Sequence, residues 1–177
     1  MRLFAAIGIP EEIKDYFSRI QQQIGNDNAK VNWVKKENLH ITLKFLGEVK
    51  EESLEKIKGT LKKIRLKPFS LTIGKLGIFP NENYIKVIWI GFKKAERLFD
   101  LHKLVDMSLS RLVPIERNFL GHITLGRVKF VKDKQKFKEK LDSIRIQENS
   151  FKVDKFKLYK SELTKHGPVY EVLEEFS

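Results

Sequence analysis

The 177-residue sequence contains no cysteine, and it has few acidic residues for its number of basic ones. The absence of cysteine excludes disulfide-stapled folds, zinc sites built on thiolates and cysteine nucleophiles, and it predicts a reducing compartment. No apolar run approaches the roughly 20 residues that a membrane-spanning helix needs. The first ten residues have neither the length nor the cleavage pattern of a signal peptide. We therefore expect a cytoplasmic protein that does not contact a membrane.

The shortage of acidic residues leaves a formal net charge of +12, from 35 Lys and Arg against 23 Asp and Glu. A positive balance favours a polyanionic partner such as nucleic acid, because lysine and arginine neutralise phosphates. Charge alone does not identify the partner, since a Lys- and Glu-rich composition without cysteine is also typical of heat-stable proteins. Hydrophobic residues make up 41% of the chain, enough for a folded core, which excludes a disordered chain.

Hydrophobic periodicity divides the chain into strands and helices in alternation. Strands are predicted at 3–9, 31–34, 39–46, 69–79, 84–92, 121–131, 151–159 and 169–176, and helices at 11–24, 54–64, 98–112 and 137–144. No stretch rich in proline, glycine or serine interrupts this order. The sequence therefore predicts one domain over residues 1–177.

A short motif occurs twice, as His40-Ile41-Thr42-Leu43 and, 82 residues later, as His122-Ile123-Thr124-Leu125. The same offset superimposes the first strand on residues 85–91 and the first helix on the third. We predict an internal repeat of roughly residues 1–82 and 83–177 in a two-lobed α+β fold. Each lobe is expected to be an antiparallel sheet with two helices packed on one face, with the active-site cleft between the lobes.

Each motif places its histidine and threonine on one face of a strand, because residues i and i+2 point the same way. His40 and Thr42 are therefore expected to face His122 and Thr124 across the cleft. Two imidazoles, with an ordinary pKa of about 6.5, can serve as acid and base in one turnover. The two threonine hydroxyls are suited to the non-bridging oxygens of a phosphate.

Arg127 adds a fixed positive charge that can bind phosphate through two hydrogen bonds. It follows His122 by five residues, so in a regular strand it would point to the opposite face. We predict that Gly126 permits a bulge that turns Arg127 toward the cleft.

A metal site is the alternative for two histidines, but catalytic zinc normally has three protein ligands. Neither motif has a further histidine or a carboxylate cluster at ligand spacing, so we expect a metal-free site. The sequence also has no G-x-S-x-G motif, P-loop or dinucleotide-binding fingerprint. Of the other two histidines, His102 is expected to pack within a helix or lie on its surface, and His166 is expected in an exposed turn. Four lysines near the C-terminus receive no role: Lys152, Lys155, Lys157 and Lys160.

The paired motifs resemble those of the two-histidine (2H) phosphoesterases. The flanking sequence is most similar to the RNA 2′,3′-cyclic phosphodiesterase branch, long labelled 2′-5′ RNA ligase. The resemblance covers nearly the whole chain and rests on these segments: Phe4–Ile7, Trp33-Val34, Glu37–Gly47, Gly77–Pro80, Val87–Trp89, His122–Arg127 and Gly167–Tyr170.

The resemblance implies metal-independent, cofactor-free opening of an RNA 2′,3′-cyclic phosphate to a 2′-phosphate. One histidine of the family acts as general acid on ribose O3′, and the other acts as general base on water. By motif position His40 corresponds to the acid and His122 to the base, although pseudo-symmetry alone permits the reverse. Thr42, Thr124 and Arg127 correspond to the phosphate-binding residues.

Phe45 stands at the position equivalent to Arg127, and the resemblance makes it a candidate contact for the nucleoside. By regular strand alternation, the alternative, a place in the core, fits about equally well. The implied partners are RNAs with 2′,3′-cyclic phosphate ends, such as tRNA fragments, with a nucleotide as a further candidate ligand, and we expect a monomer. Two other functions fit the same residues: ligation of the cyclic end to a 5′-hydroxyl, and binding of RNA ends or nucleotides without catalysis.

Overall fold

The computed structural model describes residues 1–165 and 167–177, so His166 lies outside the described residues. Nine strands are described: β1 Arg2–Gly8, β2 Ala29–Trp33, β3 His40–Glu48, β4 Phe69–Asn81, β5 Tyr84–Lys93, β6 Ile123–Val131, β7 Ser150–Val153, β8 Phe156–Thr164 and β9 Gly167–Phe176. Four α-helices accompany them: α1 Glu11–Ile24, α2 Leu54–Leu61, α3 Glu96–Ser108 and α4 Lys134–Ser143. The predicted α+β class is confirmed.

The strands form one open antiparallel sheet in the order β7-β4-β5-β6-β3-β1-β8-β9, with β2 paired to β6. In its middle, β3 and β6 meet at a single residue pair, Ile41 with Ile123. We call β1, β3, β8 and β9 the first lobe, and β2, β4, β5, β6 and β7 the second lobe. The predicted two-lobed antiparallel fold is confirmed, and the two histidine motifs lie on the adjoining strands where the lobes meet.

The lobes are not the two halves of the sequence. β2 and β4 come from the first half but lie in the second lobe, whereas β8 and β9 come from the second half and lie in the first lobe. The single strand predicted at 151–159 is therefore two strands, because the chain crosses between the lobes at Asp154-Lys155. The local sequence does not reveal the crossing, since hydrophobic and polar residues alternate in the same way in β7 and β8. The repeat boundary near residue 82 stays a prediction.

The helices cover the sheet face opposite the cleft. In α1, Pro10 stands directly before the first turn, two acidic residues follow, and Gly25 ends the helix at a φ of 65°. Ile13 and Phe17 are fully buried at helical spacing, and burial of each such side chain contributes about 1.5–3 kcal/mol. α1 packs on β6 and α3 packs on β3, so each motif strand is covered by a helix. No helix of the described part of the chain is long and apolar enough to cross a membrane.

Candidate active site

The two motifs are related by the local symmetry of an antiparallel strand pair. Ile41 and Ile123 form the pair that joins β3 to β6, and both side chains are fully buried. The residues on either side of each isoleucine therefore point to the opposite, open face. Continuing the register places the histidine of each motif beside the threonine of the other motif. A phosphate-sized group on this face would thus have a hydroxyl and an imidazole on both sides.

Strand β6 contains a β-bulge at the last residue of its motif. Two successive residues of β5 pair with residues of β6 that are two positions apart, so that Leu125 is the extra residue. The bulge shifts the alternation by one position, and Arg127 is exposed on the same face as Thr124. A Cβ atom at Gly126 would lie 2.7 Å from the Trp33 ring. This distance is too short, so only glycine fits at this position. The structure thus has the bulge that the sequence predicts at Gly126.

Strand β3 contains the equivalent bulge. Its register against β1 shifts between Thr42 and Lys44, so that Leu43 and Lys44 are both buried. Phe45 consequently returns to the open face and is 62% exposed. The core position that regular alternation allows for Phe45 is wrong, because the extra residue reverses the alternation. Phe45 and Arg127 occupy equivalent positions on the two lobes.

His40 is half-buried at the start of β3. Its Nδ1 lies 2.7 Å from the Asn38 carbonyl oxygen, and its Nε2 lies 3.0 Å from Thr42 Oγ1. Because a carbonyl oxygen can only accept, Nδ1 carries a proton and donates it. In the neutral ring, Nε2 is then the acceptor of the Thr42 hydroxyl. Nε2 is therefore the atom of His40 that can gain and lose a proton.

His122 is held in the same way just before β6. Its Nδ1 lies 2.8 Å from the Leu120 carbonyl oxygen, again the carbonyl two residues earlier. The same argument makes Nδ1 the donor and Nε2 the exchanging atom. Thr124, two residues later, is half-buried on the open face, as Thr42 is in the first motif. The two imidazoles thus present the same nitrogen for proton transfer.

Burial lowers the pKa of His40 below its ordinary value. The hydrogen bond to the Asn38 carbonyl acts in the opposite sense, and a charged His122 lowers the pKa further. A positive charge on His122 thus disfavours a positive charge on His40. Burial and a charge on His122 both favour the neutral form of His40, the form in which its Nε2 can accept a proton.

This coupling can be measured. In a pH series of NMR spectra, the ring protons of His40 should titrate below the ordinary histidine midpoint. His122→Gln should move that midpoint upward, because it removes the neighbouring charge, yet leave it below the ordinary value, because burial is the larger cause. Lys103→Gln, which removes an exposed charge on α3, should leave the midpoint in place. If His122→Gln left the titration midpoint of His40 unchanged, the two imidazoles would not be coupled.

Aromatic rings form the wall of the site around His40. The ring centroid of His40 lies 5.0 Å from Phe4, 5.4 Å from Tyr170 and 6.4 Å from Tyr159. Burial raises the pKa of the Tyr170 hydroxyl, and Arg127 acts in the opposite sense. The positive charge of Arg127, in the second lobe, thus acts on the Tyr170 hydroxyl of the first lobe.

A second aromatic wall lies beside His122. Its ring centroid is 5.4 Å from Phe79 and 6.0 Å from Trp89, and these two rings stack on each other at 4.9 Å. A Cβ atom at Gly77 would lie 2.2 Å from the Trp89 ring, so glycine makes room for it. Sequence reasoning assigned no role to either wall, because which strands lie next to the motif strands depends on the pairing across lobes.

Each motif strand is also held from its buried side by a polar side chain of a helix. Gln21 Nε2 on α1 donates to the carbonyl oxygen of Leu125 at 2.9 Å, and His102 Nδ1 on α3 lies 2.8 Å from that of Leu43. These two leucines are the last residues of the two motifs. His102 is buried and holds β3 from α3 rather than lying on the surface. Helices from each half of the sequence thus fix the motif strand of the other half.

Lys44 and Asp106 form a buried ion pair behind β3, with 2% and 3% of their surfaces exposed. The Lys44 ammonium also donates to the Pro114 carbonyl oxygen, and Asp106 accepts from the backbone N–H of Glu116 at 3.1 and 3.2 Å. These contacts connect the strand of His40 to the segment that leads from α3 to His122. Nothing in the sequence singles out Lys44, because a lysine in a strand normally reaches solvent.

The six residues predicted for the site lie together on the open face around the β3–β6 pair: His40, Thr42, Phe45, His122, Thr124 and Arg127. Within residues 1–165 and 167–177, no group of three histidine or carboxylate side chains is placed to hold a metal ion. The arrangement offers two exchanging imidazoles, two hydroxyls and one guanidinium, which together suit a phosphate ester.

Known sequences and structures show to which family the chain belongs. The profile of the family described as LigT like Phosphoesterase matches residues 7–89 and again residues 90–170. The chain belongs to this family. Each of the two matched segments contains one histidine motif, so the family pattern itself occurs twice along the chain.

Members of the family align with nearly the whole chain. An RNA 2′,3′-cyclic phosphodiesterase of Methanocaldococcus jannaschii is 43% identical over 99% of this chain and all of its own length. One of Methanothermobacter thermautotrophicus is 36% identical, covering 99% of this chain and 98% of the relative.

Solved structures of the family show the same fold. TT0787 of Thermus thermophilus superimposes with a TM-score of 0.81 at 29% identity, covering 100% of this chain and 97% of that one. LigT of Escherichia coli in complex with 3′-AMP gives a TM-score of 0.78 at 26% identity, covering 98% and 95% of the two chains.

Proposed function

We propose that the protein is an RNA 2′,3′-cyclic phosphodiesterase that opens the cyclic phosphate to a 2′-phosphomonoester. The observation that carries this proposal is the pair of histidines on adjoining strands, each with Nδ1 held by a carbonyl and Nε2 able to exchange a proton. Relatives at 43% and 36% identity over nearly the full chain have this activity as their name and support the proposal.

The phosphate is proposed to lie between Thr42 and Thr124, whose hydroxyls donate to its non-bridging oxygens. To do so, the Thr42 hydroxyl turns away from His40 Nε2, which is then free for proton transfer. Arg127, exposed on the same face, neutralises the negative charge that grows on those oxygens in the transition state. The bulge at Leu125 and Gly126 is what brings the guanidinium to this side of the sheet. Because the strands fix the backbone positions of Thr42, Thr124 and Arg127 before substrate arrives, the site needs little backbone reorganisation during the reaction.

Hydrolysis then needs two proton transfers on opposite sides of the phosphorus. One imidazole takes a proton from water as the water oxygen bonds to phosphorus, and the other gives a proton to O3′ as the P–O3′ bond breaks. The phosphoryl group stays on O2′. Motif position assigns His40 as the acid and His122 as the base. The lowered pKa of His40 favours the opposite assignment in the free enzyme, since a ring that stays neutral is the readier base.

The nucleoside is proposed to lie on the first lobe. Phe45 presents an exposed ring at the edge of the site, and Tyr159 and Tyr170 flank His40 on the same side. Base stacking on such rings is tolerant of sequence. The solved complex of LigT with 3′-AMP supports a nucleotide ligand for this chain.

The physiological substrates are proposed to be RNAs with 2′,3′-cyclic phosphate ends, tRNA fragments among them, in the cytoplasm. One chain supplies both His40 and His122, so a monomer suffices for the reaction. No residue of the proposed mechanism has to come from a second copy.

The test is incubation of an oligoribonucleotide bearing a 2′,3′-cyclic phosphate, with EDTA present, followed by phosphorus NMR. We expect the cyclic-phosphate signal to be replaced by that of a 2′-monoester. A 3′-monoester, or a requirement for added metal, would contradict the proposal. A 2′-5′ diester formed when a 5′-hydroxyl RNA is added would indicate a ligase, and tight binding with an unchanged cyclic-phosphate signal would indicate a binding protein.

A further inference from the structure

Positive charge is distributed unequally between the two lobes. None of the five strands of the second lobe contains an Asp or Glu residue. In the first lobe, acidic residues of β8 and β9 pair with the lysines near the C-terminus: Lys155 and Lys157 with Glu175, and Lys160 with Glu162 and Glu171. The lysine cluster seen in the sequence is therefore largely neutralised. The sheet surface that attracts a polyanion is that of the second lobe.

A row of exposed side chains continues the candidate site along two strands of that lobe. We call Lys30, Asn32, Arg127, Lys129 and Phe130 the β2–β6 track; all five are exposed. Asn32 pairs with Arg127 across the strands, and Lys30 pairs with Phe130, so these four side chains share one face. Arg127 belongs both to the track and to the site. Among the described residues, no carboxylate pairs with Lys30, Arg127 or Lys129.

Phe130 is the feature of the track that the fold does not explain. It is 53% exposed in the middle of a basic surface, opposite Lys30, and contributes nothing to the core. Exposed aromatic rings beside cations are the features that bind single-stranded RNA, through base stacking and phosphate contacts. Strand β6 has a second bulge at Lys129, where its pairing with β2 shifts between Lys30 and Val31. At about 3.3 Å per strand residue, and allowing for the bulges at Leu125 and Lys129, Phe130 lies about 13 Å from Thr124. A single nucleotide at the site does not reach it, but the second or third nucleotide of a chain does.

The residues that follow the motif bulges of β3 and β6 differ between the lobes. This difference gives the bound RNA a direction. The first lobe presents the ring of Phe45, and the second lobe presents the charge of Arg127. A ring suits the base of the terminal nucleoside, whereas a guanidinium that continues into lysines suits a run of phosphates.

We propose that the RNA chain 5′ of the cyclic phosphate crosses the second lobe along the β2–β6 track. Lys30 and Lys129 contact its phosphodiesters, and Phe130 stacks on the base of the second or third nucleotide, counted from the cyclic end. The inference deepens the proposed function and depends on it, since it names the part of the substrate that the candidate site alone does not bind.

The decisive comparison is between a nucleoside 2′,3′-cyclic monophosphate and a hexanucleotide that ends in the same cyclic phosphate. Wild-type protein should have the higher kcat/KM on the hexanucleotide. Phe130→Ala should lower that value about tenfold through KM, as expected for loss of one stacked base, and leave the mononucleotide unaffected. Phe130→Tyr should retain the preference, whereas Phe130→Leu, which keeps an apolar side chain without a ring, should not.

The salt dependence of hexanucleotide binding tests whether Lys30 and Lys129 contact phosphates. Lys30→Gln/Lys129→Gln should reduce the slope of log affinity against log salt concentration for the hexanucleotide by about 1.4, since each phosphate contact to a single strand contributes about 0.7. The matched control is Lys63→Gln/Lys103→Gln, which removes two exposed lysines near α2 and on α3. It lowers the net charge equally and should leave the slope unchanged.

Equal kcat/KM on the two substrates in wild type, or an equal loss on both in Phe130→Ala, would overturn the track while leaving the proposed function intact. A wild-type protein that opens neither substrate would overturn the proposed function instead. The track is then decided by fluorescence anisotropy with a hexanucleotide carrying a 2′-phosphate. Weaker binding by Phe130→Ala supports it, and unchanged binding overturns it.

Discussion

His40→Ala and His122→Ala should each lower kcat on a 2′,3′-cyclic phosphate by about 10²–10⁴-fold, the contribution typical of one general acid or base. Both imidazoles lie on the open face, outside the buried cluster, so the far-UV circular dichroism and the urea midpoint should change little. The double variant should be hardly worse than either single variant, because the two rings act on one reaction. Near-wild-type turnover by either single variant would contradict two-histidine catalysis.

The same variants decide which ring is the acid. A substrate with sulfur in place of O3′ has a leaving group that departs without a proton. The variant that lacks the acid should therefore recover much of its activity on this substrate, and the variant that lacks the base should not. Recovery by His40→Ala supports the assignment from motif position, and recovery by His122→Ala supports the one that the pKa of His40 favours.

Lys44→Met should lower the free energy of unfolding by about 3–5 kcal/mol, because it leaves the Asp106 carboxylate buried without its cation. The remaining contact to Asp106 is the backbone N–H of Glu116, which cannot balance the charge. Lys44→Met/Asp106→Leu removes both charges and should recover most of the loss. Urea unfolding followed by circular dichroism measures all three proteins.

The matched control for Lys44 is an ion pair at the surface. Lys138 pairs with Glu82, but both side chains are well exposed to solvent, so Lys138→Met should move the urea midpoint little. If Lys44→Met were no more destabilising than Lys138→Met, the buried pair would not be holding β3 to the segment before His122. A double variant as unstable as Lys44→Met would assign the loss to packing rather than to unpaired charge.

Much of the fold follows from hydrophobic periodicity, because most elements bury one face on a single core. The predicted strand at 3–9 is observed at Arg2–Gly8, and the predicted helix at 11–24 at Glu11–Ile24. The exchange of strands between the lobes does not follow from hydrophobic periodicity. It depends on which strands pair over long distances, and alternating residues in β7 and β8 pair equally well with either lobe.

The candidate site also has features that the local sequence predicts and features that depend on long-range contacts. The repeated motif was enough to predict that both histidines and both threonines share one cleft. Gly126 indicates the bulge in β6. The bulge in β3 falls at Leu43 and Lys44, neither of which is a turn residue, so the sequence does not indicate it. For this reason the sequence also allowed the wrong position for Phe45, in the core. The aromatic walls and the buried Lys44–Asp106 pair come from segments far apart in the sequence, and local patterns do not report such contacts.

The exchange of strands between the lobes makes each half of the chain dependent on the other. A half-length chain with one motif would lack the strands that complete its lobe, and it could gain them only by trading with a second copy, as a swapped dimer. Such a dimer would have two identical motifs facing each other, and any residue change would appear on both sides. A single chain that contains both motifs is free of that constraint. One lobe can then keep Phe45 where the other has Arg127, so a nearly symmetric scaffold can bind an RNA end whose two sides differ.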